Sequence, residues 1–123
     1  MATIDLSLKE IYDLAREVLE NNGCDETSSK AVANTVCTAE RDGSASHGLF
    51  RMPGYVKSLK SKKVNGNAKP TVNNLTQNAI RVDGDYGFAP VAINVVYYTW
   101  KYSHLTYQIP ITIVYFVKTI VPD

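Results

Sequence analysis

The sequence predicts an α/β chain in which three N-terminal helices pack with a short β-hairpin. Three observations predict it. Apolar residues recur at helical spacing from Leu8 to Leu19. Capping and stopping residues at Ser7, Gly23, Asp25 and Gly43 punctuate the first half of the chain. Two short β-prone runs then follow the turn Asn65-Gly66-Asn67.

The first helix is expected over 7–22. Ser7 and Glu10 make a Ser-x-x-Glu capping box, and Leu8, Ile11, Leu14, Ala15, Val18 and Leu19 form one apolar stripe. Asn21-Asn22-Gly23 stops it, with Gly23 suited to the left-handed position beyond a helix end. The second helix, over 25–41, starts on Asp25 as N-cap, buries Ala31, Val32, Val36 and Ala39, and breaks at Asp42-Gly43-Ser44. The third covers 47–62, with Leu49, Met52, Val56 and Leu59 inward and Pro53 near its first turns. Strands are expected near 70–72 and 79–82, around a polar linker at 73–78. Asp83-Gly84-Asp85-Tyr86-Gly87 closes that unit, and another helix starts in the stretch from Phe88 to Val95.

The chain divides at that point into residues 1–94 and 95–123. Five of the eight tyrosines fall between Tyr97 and Tyr115, Glu is absent after Glu40, and Gly is absent after Gly87. The uncharged run Ile111 to Val117 combines high β-propensity with high hydrophobicity, as an aggregating segment or a buried strand does. The abrupt shift is taken as a frame-shifted or chimeric ending, an aberrant Tyr/Ile-rich tail.

Composition narrows the function. A 45% hydrophobic content supports a core, and 123 residues make at most one ordinary domain. Thirteen basic against twelve acidic residues argue against nucleic acid or an anionic membrane as partner. The local exception, Lys57, Lys60, Lys62 and Lys63 with Arg51 upstream, is a solvated helix face or a site for an anion. Cys24 and Cys37 lack zinc spacing, so no metal is expected; they are reduced core residues or a pair. The start at Met1 does not resemble a signal peptide, and the two uncharged late runs fall short of the ~20 residues of a spanning helix. Together these place the protein in the cytoplasm, away from membranes.

The chemistry concentrates at His47. A histidine exchanges protons near neutrality, and Ser46 beside it can cap a helix or bond a reacting oxygen or nitrogen. Arg51 follows four residues later, on the same face of a helix over 47–62 and one turn on. A guanidinium holds a carboxylate through two parallel hydrogen bonds, so the pair suits a 2-oxo or 2-imino acid. At a helix start the dipole favours neutral imidazole. Tyr55, a turn further, lines the same pocket or packs in the core. The plainer readings are a surface or capping histidine, and Ser46 as an N-cap alone.

The segment Ser46-His47-Gly48-Leu49-Phe50-Arg51-Met52-Pro53-Gly54-Tyr55 resembles the Ser-His-Gly-x-x-Arg-x-Pro-x-Tyr signature of the type-2 malate/L-lactate dehydrogenase family. Its flanks are similar too, from Ala39-Glu40-Arg41-Asp42-Gly43 to Val82-Asp83-Gly84-Asp85-Tyr86-Gly87, over roughly residues 5–94. The nearest branch is that of the Δ1-piperideine-2-carboxylate/Δ1-pyrroline-2-carboxylate reductases. The resemblance implies a non-Rossmann α/β fold, reduction of a cyclic imino acid or 2-oxo acid by NADPH or NADH, and a homodimer. It makes His47 the proton donor, Ser46 its relay neighbour and Arg51 the carboxylate binder. The family's next helix, strand and cofactor-contacting loop are expected to be missing, with no cofactor-binding residue left, so a truncated and inactive chain is implied. His104 matches nothing in that pattern. The alternative is a non-enzymatic helical interaction module whose apolar tail self-associates.

Overall fold

A computed structural model describes residues 2–76, 79–106 and 113–120. Helix α1 spans Leu8–Asn21 and opens on the full capping box, with Glu10 N–H donating to the Ser7 hydroxyl and Glu10 accepting from Ser7 N–H. Helix α2 spans Glu26–Arg41 and starts where Ser28 N–H donates to Asp25. Two 3-10 turns, Ala45–His47 and Leu49–Arg51, lead into α3, Met52–Lys60. Strand β1 (Thr71–Thr76) pairs antiparallel with β2 (Ala79–Asp83). Helix α4 (Ala89–Thr106) crosses over, and β3 (Ile113–Val117) runs parallel beside β2, giving the order β1-β2-β3.

The three N-terminal helices end alike. At α1, Gly23 N–H donates to Glu20 O and Cys24 N–H to Leu19 O; Gly23 lies at φ 101°. At α2, Gly43 (φ 74°) donates to Glu40 O and Ser44 to Ala39 O. At α3 the same pair of bonds runs from Lys62 to Leu59 O and from Lys63 to Ser58 O, with Lys62 at φ 60°. Each is a Schellman stop, which satisfies two otherwise orphaned carbonyls and turns the chain sharply. Glycine takes the left-handed residue at two of them without steric cost; at the third a lysine bears it.

The core lies between the helices. Leu19, Val32 and Val36 are fully buried, and Phe88 meets Tyr55 edge-on at 5.0 Å, so Tyr55 is a core residue rather than a pocket wall. A second cluster joins Ile80 and Val82 of β2 to Ala92 of α4. Cys24 is buried as a free thiol, and burial pushes it up to about 12. Cys37 is also free, its thiol donating to Leu8 O at 3.3 Å.

Three expectations are corrected. No single helix covers 47–62, because Pro53 lacks the N–H that an α-helix would direct to Leu49 O and its ring would meet that carbonyl. The α-helix therefore starts at Met52, with Pro53 in its first turn. Strand β1 extends through Asn73–Thr76, since these exposed edge residues need backbone partners rather than an apolar face. A helix and a strand do follow the Gly87-Phe88 turn: α4 runs unbroken through Val95, and β3 is tied back through Gly84 N–H to Val117 O and Ile120 N–H to Gly87 O. Residues 77–78 of the expected linker and 111–112 of the apolar run fall outside the described residues. No helix among the described residues is long and apolar enough to cross a membrane.

Two stability predictions follow from these ends. Lys62→Gly relieves the left-handed lysine and is expected to stabilise by up to about 1 kcal/mol, after the extra chain entropy of glycine; urea unfolding with an unchanged m-value checks it. Burial works to raise the Asp25 carboxyl, but Lys69 Nζ at 2.5 Å and the Ser28 N–H outweigh it and hold it below its ordinary value. A depressed carboxyl stabilises above its unfolded pKa, near ~3.9, and loses that contribution as pH falls through the folded value. Asp25→Asn keeps the cap and removes the charge. It should cost about 1 kcal/mol or less at pH 7, because Lys69 is largely exposed, with the difference from wild type closing below about pH 4.

Candidate functional site

The Schellman stop of α2 delivers the chain into Ser44–Arg51, a segment carried between two helices that pack in the core. Tight turns hold it: His47 N–H donates to Ser44 O at 2.9 Å and Gly48 N–H to Ala45 O at 3.2 Å. Arg51 N–H donates to Gly48 O at 3.0 Å. Ser44, Ser46 and His47 are exposed, Gly48 is buried, Leu49 is half-buried against the core, and Arg51 is half-buried.

Two hydroxyls converge on one ring nitrogen. Ser46 Oγ lies 3.0 Å and Ser44 Oγ 3.3 Å from His47 Nδ1. With Nδ1 engaged, Nε2 is the nitrogen left for a reactant. Ser46 is therefore no N-cap; it acts on the imidazole, and no side chain caps either 3-10 turn. The helix dipole expected at His47 begins only at Met52, beyond the reach of that charge effect. Arg51 ends the second turn, next to α3, and its positive charge bears on the Tyr55 hydroxyl, which burial chiefly pushes upward.

Glu40 is a residue that sequence reasoning missed, although it stood within the matching flank. From the last turn of α2 its carboxylate accepts Leu49 N–H at 2.7 Å. Its only signal was a charged residue on the penultimate position of a helix, where the dipole disfavours a carboxylate.

The segment stands open to solvent. A groove of about 680 Å³ lies over Val18, Met52, Pro53 and Val56, and another of about 850 Å³ over Tyr12, Ala31, Pro70 and Tyr98. Neither is lined by Ser46, His47 or Arg51. Among the described residues no group of three or more His, Cys, Asp or Glu is placed to hold a metal ion.

Because two hydroxyls share Nδ1, removing one leaves the other in reach. Ser46→Ala or Ser44→Ala alone should preserve the His47 tautomer, whereas the double substitution should release it to the mixture of free histidine. Ring 15N shifts of His47 read the outcome, and a full release by Ser46→Ala alone would exclude Ser44 from the contact.

Residues 6–99 match the family described as Malate/L-lactate dehydrogenase. The chain is 40% identical over 84 residues to a Δ1-pyrroline-2-carboxylate/Δ1-piperideine-2-carboxylate reductase of Pseudomonas putida, covering 68% of this chain and 25% of that protein. It is 40% identical over 88 residues to a (2R)-3-sulfolactate dehydrogenase (NADP(+)) of Chromohalobacter salexigens, covering 72% and 26%. The crystal structure of Δ1-piperideine-2-carboxylate reductase from Pseudomonas syringae superposes with a TM-score of 0.77 at 34% identity, over 85% of this chain and 31% of that one. Malate dehydrogenase from Entamoeba histolytica gives 0.77 at 26% identity, over 86% and 30%. The chain thus spans about a quarter of the length of the curated relatives it matches.

Proposed function

The chain belongs to the malate/L-lactate dehydrogenase family, and from that premise we propose that it forms the substrate-binding, proton-donating part of a reductase for a cyclic imino acid or 2-oxo acid. The observation that carries this is the Ser46 hydroxyl on His47 Nδ1 at 3.0 Å, with Arg51 at the end of the next turn. Reduction of a C=N or C=O bond leaves the nitrogen or oxygen in need of a proton, and His47 supplies it from Nε2 while Ser46 fixes the ring. Arg51 receives the substrate carboxylate through its planar fork. Relatives whose names include imino-acid reductases and a sulfolactate dehydrogenase support a small acidic substrate.

The reductant is NADPH or NADH, and the starts of α1 and α2 do not fit its phosphates. Helices α1 and α2 open on the carboxylates of Glu10 and Asp25, which repel phosphate at the position where a helix N-terminus would attract it. In this reading Ser46, His47 and Arg51 bind the acid and give the proton. Enclosure of the open Ser44–Arg51 segment falls to further protein surface, either from the remainder of the family's length or from a second subunit of a homodimer in the cytoplasm. The division at Val95 belongs to the same reading: reading the codons after residue 94 in another frame tests it, and the family's cofactor loop appearing there would mark the tail as frame-shifted.

A second reading as a helical interaction module draws on Ile93, Tyr97 and Tyr98, exposed along α4.

Isotope-labelled protein titrated with Δ1-piperideine-2-carboxylate or pyruvate tests the site. Shifts are expected at Ser46, His47 and Arg51, weakened in Arg51→Lys and lost in Arg51→Ala, since an ammonium cannot reproduce the two-pronged bond. NADPH oxidation by this chain should be negligible. Binding that bypasses these residues, or turnover that survives His47→Ala, would remove them from the reaction.

A further inference from the structure

We propose that Glu40 is the positioning residue of this site, a staple that holds both ends of the loop bearing Ser46 and His47. The inference rests on the reading of His47 as proton donor. Glu40 sits one residue before the last of α2, half-buried. Its backbone carbonyl accepts Gly43 N–H at 3.2 Å, where the loop begins. Its carboxylate oxygen Oε1 accepts Leu49 N–H at 2.7 Å, where the loop ends. One residue thus closes the loop at its entry and its exit.

The side chain of residue 48 is the space this staple occupies. A Cβ on Gly48 would stand 2.5 Å from Glu40 Cδ, 2.8 Å from Cγ and closer still to Oε1. Gly48 has a negative φ of −89°, so a glycine is not required there by a left-handed backbone. The Glu40 carboxylate lies where a side chain at residue 48 would go, so a Cβ there would displace it. The glycine and the glutamate are two halves of one contact, and the peptide they clamp follows directly on His47. Between the clamped ends, the turn bonds from Ser44 O and Ala45 O set the backbone that brings both serine hydroxyls to Nδ1. Without the charge-assisted bond the exposed loop keeps only its local turns, and the imidazole loses its fixed partners.

The test uses the full chain and needs no turnover. Ring 15N shifts of His47 and hydrogen exchange of the Leu49 amide are followed in Glu40→Gln, Glu40→Ala, Gly48→Ala and the double variant Glu40→Ala/Gly48→Ala. Glu40→Gln retains an acceptor and should keep the wild-type His47 signature. Glu40→Ala and Gly48→Ala should each move the ring toward the averaged tautomers of free histidine and speed Leu49 exchange by about tenfold or more. The double variant should add nothing, because the Cβ then meets no carboxylate. Unchanged His47 shifts in Glu40→Ala, or additive effects of the two alanines, overturn the proposal. If Glu40→Ala does not fold, Gly48→Ala against Glu40→Gln still decides it. These readouts stand apart from substrate binding: a loop that responds as expected but binds no acid disproves the function and leaves the staple, and the reverse disproves the staple alone.

Discussion

The left-handed residue beyond each N-terminal helix sets the course of the chain. Gly23, Gly43 and Lys62 occupy the same place in the same two-bond motif. After α1 the turn sends the chain into α2, whose Asp25 N–H reaches Gly66 O across the fold at 2.9 Å. After α2 it sends the chain outward into the serine–histidine loop. After α3 it sends the chain to Asn65, which donates to Asp85 and pins the turn between β2 and α4. Helix directions, loop placement and sheet attachment all descend from a backbone geometry that satisfies carbonyls no longer served by the helix.

This architecture leaves the chemistry on a rim. The core fills with Leu19, Val32, Val36, Tyr55 and Phe88, while Ser44, Ser46 and His47 face solvent. The proton donation and carboxylate binding proposed for His47 and Arg51 would work best where water is excluded and charges act strongly. In the proposed reading the other wall of this open rim is supplied by more protein; the chain spans about a quarter of the length of the relatives it matches. The carboxylates that begin α1 and α2 serve folding, and by the same charge they close those helix ends to a phosphate.

Much of the fold was legible because its signals are local. The capping box at Ser7 and Glu10, the N-cap at Asp25 and the glycines at 23 and 43 announce helix ends within a few residues of themselves. The end of the third helix near 62 was legible, but the left-handed Lys62 was not, since a lysine carries no signature of that conformation. The broken helix before Met52 was misjudged because the apolar spacing of Leu49, Met52 and Leu59 continues through a stretch where Pro53 forbids an α-helical bond. The polar half of β1 escaped because an edge strand is defined by its neighbour's backbone, which periodicity does not report.

The candidate site divides in the same way. Sequence alone determined which groups are present, Ser46, His47 and Arg51 at a fixed spacing, and the family that carries them, because identity and order are properties of the chain itself. Tertiary structure decided how they are held: that a hydroxyl meets Nδ1 rather than capping a helix, that Tyr55 turns inward onto Phe88, and that Glu40 reaches nine residues forward to Leu49 across Gly48. Such contacts arise only once α2 and α3 have packed and the segment between them has a definite path, and nothing in a linear order of residues specifies that path.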